Sequence, residues 1–356
     1  MTHPPGSNPG SDNPGGDYPP PPGYEPPQGA MPGPQGNYGQ GGYGQGSYGM
    51  PPMQQVDPSR FGAPRPGVIP LRPLGVGEIL DGAVKTMTRY AVVMFGLTAI
   101  LVTIGQVIAT GTQLPTADVM FDPATMDTGT EGMAGWITGQ LIAAAIYGLV
   151  TIVLLGMLTT VVKSAVLGDR ITIGETWAAA RPHLLRILGL YLLGVVAGIT
   201  LIAIVVGGFL VHWAVGLVAV LAALALVVWV GVLVSVSVPA LVFEKTGVIT
   251  AIQRSIALVR GTWWRVLGVL LLLMLIVFGI SLIFMIPFSI IGGIAGIAAD
   301  SNIPVLIISA IGGILLSIVV TPFSTAATSL LYVDLRMRKE GLDIELARAS
   351  EEQGAR

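Results

Sequence analysis

The chain contains no cysteine. That excludes a disulfide-stapled scaffold, a thiol nucleophile and a Cys-ligated metal centre. Charge is scarce too: Asp, Glu, Lys and Arg make up 11% of the residues, and the formal net charge is −2. Soluble domains carry about 25% charged residues, so so few charges do not keep an ordinary surface wet. The lack of a basic excess speaks against a nucleic-acid partner, which would be bound by neutralising phosphates. Histidine is limited to His3, His183 and His212. Neither H-E-x-x-H nor G-x-S-x-G occurs, and no His and carboxylate lie within a helical turn of each other in an apolar stretch. The expectation is no catalytic residue, no metal ligand and no cofactor, hence a chain that is not an enzyme.

What the chain does have is 52% hydrophobic residues, 48 glycines and 26 prolines. These belong to two unlike parts. Residues 1–67 hold 17 of the prolines, 16 of the glycines and five tyrosines, with no Leu and no Ile. Such a Pro/Gly/Tyr/Gln-rich segment cannot bury enough apolar surface to offset its ordering entropy, and a disordered N-terminal tail is expected. Pro19–Pro22 suits a short polyproline II element, and residues 37–49 read N-Y-G-Q-G-G-Y-G-Q-G-S-Y-G. Two readings of the tail stay open: a passive solubilising arm, or a segment that recruits cytoplasmic protein partners through Tyr18, Tyr24, Tyr38, Tyr43 and Tyr48. Pro21-Pro22-Gly23-Tyr24 also fits the PPxY text that WW domains read.

The remainder carries six apolar stretches: Ala91–Thr110, Trp136–Val162, Ile187–Val211, Ala214–Val238, Val266–Ala299 and Ile303–Val333. Each runs 20 residues or more without Lys, Arg, Asp, Glu or His, the length and purity of a transmembrane helix. The first begins too far along the chain for a cleavable signal. The 111–135 connection holds Asp118, Asp122, Asp127 and Glu131 but no basic residue, and residues 300–302 hold only Asp300. All 18 basic residues fall in the tail or on the opposite set of connections. The positive-inside rule then predicts a multi-pass plasma-membrane protein with both termini in the cytoplasm.

The cytoplasmic connections read as interfacial amphipathic helices. In Gly77–Arg89, Ile79, Leu80, Ala83, Val84 and Met87 share one face, with Glu78, Asp81, Lys85 and Arg89 off it. In the third connection Ile249, Ile252, Ile256 and Val259 form the stripe. The second is poorer, because Pro182 interrupts it. The expected fold class is therefore an all-α integral membrane protein: six transmembrane helices with cytoplasmic interfacial amphipathic helices, preceded by the disordered tail. Its domains are 1–67, a membrane domain over 68–338 and a charged cytoplasmic tail over 339–356. Units near 74–162, 171–238 and 246–333 fit either a triplicated helix unit or the rhythm that topology alone imposes.

Candidate binding residues fall into two groups. Thr321, Ser324, Thr325 and Thr328 share one face of the sixth span beside Pro322, a polar face suited to an uncharged cavity with the Pro287 region of the fifth span. Equally, those hydroxyls can bond their own helix carbonyls. Arg72, Lys85, Arg89, Arg260, Arg265, Arg336, Arg338 and Lys339 are placed to meet anionic lipid headgroups. His183 is read as a headgroup contact and His212 as part of an outer-interface turn. Gly194 and Gly198, Gly292 and Gly296, and Ser309, Gly313 and Ser317 allow close helix approach, either within the bundle or in a homo-oligomer.

Residues 67–89, G-V-I-P-L-R-P-L-G-V-G-E-I-L-D-G-A-V-K-T-M-T-R, and 331–346, L-Y-V-D-L-R-M-R-K-E-G-L-D-I-E-L, carry a resemblance. They are similar to the opening and closing segments of a family of actinobacterial membrane proteins, labelled the glycerophosphoryl diester phosphodiesterase membrane domain or treated as of unknown function. In fusions of that family the membrane unit precedes a catalytic barrel. The barrel's His-Arg-Gly opening, metal-binding carboxylates and second His have no counterpart here, so the resemblance implies the membrane part without the enzyme. The resulting expectation is a non-enzymatic polytopic protein of the cell envelope, an anchor, scaffold or lipid-interacting protein whose tail recruits partners. The alternative is a transporter or lipid-handling protein using the polar face of spans five and six.

Overall fold

The computed structural model describes residues 72–117 and 130–341. The tail 1–67, the acidic loop around Asp122 and residues 342–356 lie outside them. The described residues form helices and no strands: α1 (Val76–Arg89), α2 (Ala91–Gln113), α3 (Thr130–Leu167), α4 (Ile173–Val211), α5 (Trp213–Val234), α6 (Ser237–Glu244), α7 (Val248–Val259), α8 (Trp263–Ala299) and α9 (Ile303–Glu340). Six helical segments are long and apolar enough to cross a membrane, which is the architecture of a multi-pass membrane protein.

Local chemistry explains where the helices begin. Glu78 reaches back to accept from the Gly75 N–H at 2.7 Å and opens α1. Thr172 and Glu175 form a reciprocal box at the start of α4, with the Thr172 N–H donating to Glu175 at 2.9 Å and the Glu175 N–H to the Thr172 hydroxyl at 3.3 Å. Pro182 does not interrupt that helix. α4 runs through it from Ile173 to Val211, because a proline here costs one backbone bond while the box and the long apolar segment after it hold the rest. The second connection is thus continuous with its span. Pro287 and Pro322 likewise sit inside unbroken α8 and α9.

The fourth span, expected as one piece to Val238, instead breaks at Ser235 and Val236. Pro239 brings no N–H for the Ser235 carbonyl, and the Ser255 hydroxyl of α7 donates to the nearby Leu233 carbonyl at 2.7 Å. α7 packs at this break through small residues, so its buried side is Ala251, Ser255, Leu258 and Val259. Ile249, expected in the apolar stripe, is 70% exposed. In α1 the expected stripe divides between protein and the outer side. Its Ile79, Ala83 and Met87 are buried, packed largely on α9, while Val84 from the same expected stripe is half exposed.

The protein-packed core lies towards the ends where the basic residues gather. It includes Leu154, Leu158, Val161 and Val162 of α3, Leu258 of α7 and the continuous buried run Leu330–Leu335 of α9. Away from it the helices present apolar side chains outward, α4 and α5 most of all. In a bilayer such surface gains nothing by finding protein instead of lipid; close packing and interhelical polar bonds hold the helices. Glycine supplies the first at the α4–α5 turn, where a Cβ on Gly216 would lie 2.3 Å from the Phe209 ring. Gly194 and Gly198 serve no such contact, since a Cβ on either meets nothing within 4 Å. Gly292 does approach the α9 backbone: a Cβ there would lie 3.4 Å from the Val305 Cα.

Candidate functional site

Interhelical polar bonds concentrate at the basic end in three clusters. The first joins the start of the described chain to the end of α9. Asp334 is fully buried. Its Oδ1 accepts from the Leu74 N–H at 2.8 Å and from Arg338 Nε at 2.9 Å, and its Oδ2 pairs with Arg265 Nη1. Arg265 and Arg338 each also donate to the Leu74 carbonyl at 2.8 Å. One residue, Leu74, is therefore held at both its N–H and its C=O by a carboxylate and two guanidiniums. Asp334 and Arg338 face each other because they are one helical turn apart; Arg265 arrives from α8 and Leu74 from the far end of the sequence.

The second cluster centres on Glu244 at the end of α6. It accepts from Arg254 Nε at 2.8 and 3.0 Å and from the Tyr332 hydroxyl at 2.7 Å. Arg254 also pairs with Glu340 at 2.5 Å, and Glu340 with Arg336 at 2.9 Å. The hydrogen bond and charge of Glu244 hold the Arg254 guanidinium above its ordinary range. This network ties α6, α7 and α9, and Phe243 packs edge-on against Tyr332 with ring centres 5.2 Å apart.

The third cluster is an open cavity of about 480 Å³ between α3, α4 and the end of α6. Lys163, His183, Arg186 and Lys245 line it, with the hydroxyls of Thr160 and Ser164. Lys163 donates to the Phe243 carbonyl at 3.1 Å, and Arg186 to the carbonyls of Lys245 and Thr246 at 2.7 and 3.2 Å. No carboxylate is among the lining residues. Lys245 adopts a left-handed backbone with φ 55°, which turns the chain from α6 towards α7.

The sequence-predicted residues fall as follows. Arg265, Arg336 and Arg338 are bound in the two ion-pair clusters, and Lys339 donates to the carbonyls of Ala257, at 2.8 Å, and Arg260. Those four therefore have protein partners at the places where headgroups were expected. Arg72 pairs with Glu78 at 2.6 Å and Lys85 with Asp81 at 2.5 Å, both on the exposed side of α1. Arg89 lines a second groove with Arg170, and Arg260 is exposed. On α9, the hydroxyls of Thr325 and Thr328 donate to the carbonyls of Thr321 and Ser324 at 2.8 and 2.7 Å. A groove near that face, between α1, α2, α8 and α9, is lined mainly by apolar residues such as Ile276, Ile280, Val319 and Phe323.

Sequence reading missed Glu244, and it took Lys163, Arg186 and Lys245 only as topology signals. A lysine closing an apolar span and an arginine opening the next were the available hints that charges converge. Among the described residues no three His, Asp or Glu side chains are grouped to hold a metal ion.

Comparison with known proteins gives one match, over residues 74–335, to a family described as Domain of unknown function (DUF7847). No curated protein and no solved structure matches the chain. The matched region opens on Leu74 and closes one residue after Asp334, the two residues that the first cluster bonds together. Most of the chain, including all three clusters up to Leu335, thus lies within that match, and the protein belongs to the DUF7847 family, a domain of unknown function.

Proposed function

We propose that this protein is a non-enzymatic anchor or scaffold of the plasma membrane that interacts with lipids, with the basic end of the bundle and both termini in the cytoplasm. The observation that carries this reading is the use made of the carboxylates at the basic end. Asp334, Glu244 and Glu340 are each engaged by arginines and spent on joining helices. A general acid or base must reach a substrate proton; these carboxylates are instead occupied by arginines of their own chain. The threonine hydroxyls of α9 are engaged by their own helix, which favours a scaffold over a transporter with a polar path there. The similarity to the glycerophosphoryl diester phosphodiesterase membrane domain supports the same reading, since that domain is the non-catalytic part of its fusions. Residues 1–67 are the part offered to cytoplasmic protein partners, and charge balance disfavours nucleic acid.

The test is purification of the full chain from its native membrane in mild detergent, followed by mass spectrometry of what stays bound. Anionic phospholipid retained at about one or more per chain is the expected result. A soluble organic solute retained in place of lipid would turn the reading towards transport.

A further inference from the structure

The cations that join helices at the basic end differ in what they meet. Arg254, Arg265, Arg336 and Arg338 all meet carboxylates. Lys163, Arg186 and Lys245, which share the cavity between α3, α4 and α6, meet none among the described residues. Their hydrogen bonds go to backbone carbonyls, of Phe243, Lys245 and Thr246. Like charges gathered in a partly enclosed space repel one another, and the repulsion grows as water is excluded. Unlike the two ion-pair clusters, this one is left open to an outside anion.

A second observation points to the same place. His183, which lines the cavity, is 6% exposed, and its Nδ1 is buried without a hydrogen-bond partner. A buried ring nitrogen left unpaired is costly, and a ligand with oxygen atoms satisfies it when that nitrogen carries the proton. The hydroxyls of Thr160 and Ser164 add donors on the α3 side.

We propose that this cavity binds the phosphate group of an anionic phospholipid from the adjoining leaflet. Lys163 and Lys245 supply point charges, Arg186 a guanidinium oriented by its two carbonyl bonds, and His183 a donor. Two or more cations with short hydroxyl donors match a phosphate's several acceptor oxygens. The lipid source rather than free phosphate follows from the other walls. Leu167, Ile171, Ala179 and Val242 line the same opening, and apolar side chains around a basic centre suit the glycerol and first methylenes of a lipid. Basic pockets between membrane helices on this side are where phospholipid headgroups are held. The inference rests on the lipid-interacting reading above, and its test separates the two.

The experiment uses the full chain in phosphatidylcholine nanodiscs with and without phosphatidylglycerol, at physiological salt. Exchange of phosphatidylglycerol onto the protein is read by native mass spectrometry. The variant is K163Q/K245N: glutamine keeps a donor for the Phe243 carbonyl, and asparagine tolerates the left-handed backbone at position 245. Its phosphatidylglycerol binding should fall roughly 30-fold, as two basic contacts to the lipid are lost. Asp300→Asn, at the end of α8 away from the basic clusters, should bind like the parent, and Lys163→Arg should retain most of the binding. Thermal unfolding of each variant in phosphatidylcholine alone confirms that the fold survives; should the double variant not fold, Lys245→Asn alone, at roughly fivefold weaker binding, decides. Parent and double variant binding phosphatidylglycerol equally would overturn the site while leaving the lipid-interacting reading intact. A parent that retains no anionic lipid removes both. Inorganic phosphate at millimolar level displacing the lipid fully and occupying the site alone would overturn the lipid source.

Discussion

An Asp334→Ala variant should lose most of its folded population in detergent at temperatures the parent tolerates. Asp334 is fully buried and compensates two guanidiniums, those of Arg265 and Arg338. Removing one partner of a buried ion pair costs about 3–5 kcal/mol, because the other partner stays in place uncompensated. Folded proteins have only about 5–15 kcal/mol to lose. Asp334→Asn separates the contributions. It keeps an oxygen to accept from the Leu74 N–H but drops the charge, so its loss should lie between the parent and Asp334→Ala. Unfolding followed by helical circular dichroism during heating or titration with a denaturing detergent reads both. An unchanged midpoint for Asp334→Ala would mean that the ion pairs at this end are not what closes the bundle.

Chain truncation gives the second large effect, and it is a step rather than a slope. A chain that begins at Arg72 keeps every bond of the Leu74 backbone and should unfold like the full chain. A chain that begins at Val76 lacks it. Asp334 then loses the Leu74 N–H, Arg265 and Arg338 lose the Leu74 carbonyl, and Glu78 loses the Gly75 N–H that it caps. The fully buried Leu74 side chain goes as well. Hydrogen bonds to charged groups are worth about 1.5–3 kcal/mol each. With a discount for their non-additivity, a loss of about 3 kcal/mol or more is expected. The same unfolding measurement on the two truncated chains checks it, and a gradual loss spread over residues 60–76 would contradict the clamp.

The spans were legible because bilayer thickness and the cost of bare backbone in lipid leave few solutions. The break at Ser235 was not, since Pro239 stops a helix only when a neighbour such as Ser255 is there to satisfy a freed carbonyl. Pro182, Pro287 and Pro322, with the same local chemistry, do not stop theirs. α7 shows a related limit: periodicity locates an apolar stripe, but contact with α5 and α6 selected the small residues Ala251 and Ser255 for burial. Half of the first cluster was written locally, as Asp334 and Arg338 one turn apart. Its other half lies 260 residues away at Leu74, and no local pattern carries that. The basic cavity has the same character, for Lys163, Arg186 and Lys245 read singly as sidedness signals and acquire a common purpose only when α3, α4 and α6 converge.

The central claim is a bundle inserted with its basic clusters on the cytoplasmic side of the plasma membrane. The absence of cysteine from the chain makes the direct measurement clean, because every introduced cysteine is the sole target for a thiol reagent. Single cysteines at Trp213 and Ser301, on the connections opposite the basic end, should react with a membrane-impermeant maleimide in intact cells. Cysteines at Thr88 and Arg170, both exposed at the basic end, should react only after the membrane is opened. Labelling of Thr88→Cys or Arg170→Cys in intact cells, with Trp213→Cys and Ser301→Cys protected, would contradict the orientation and with it the proposed scaffold and lipid site.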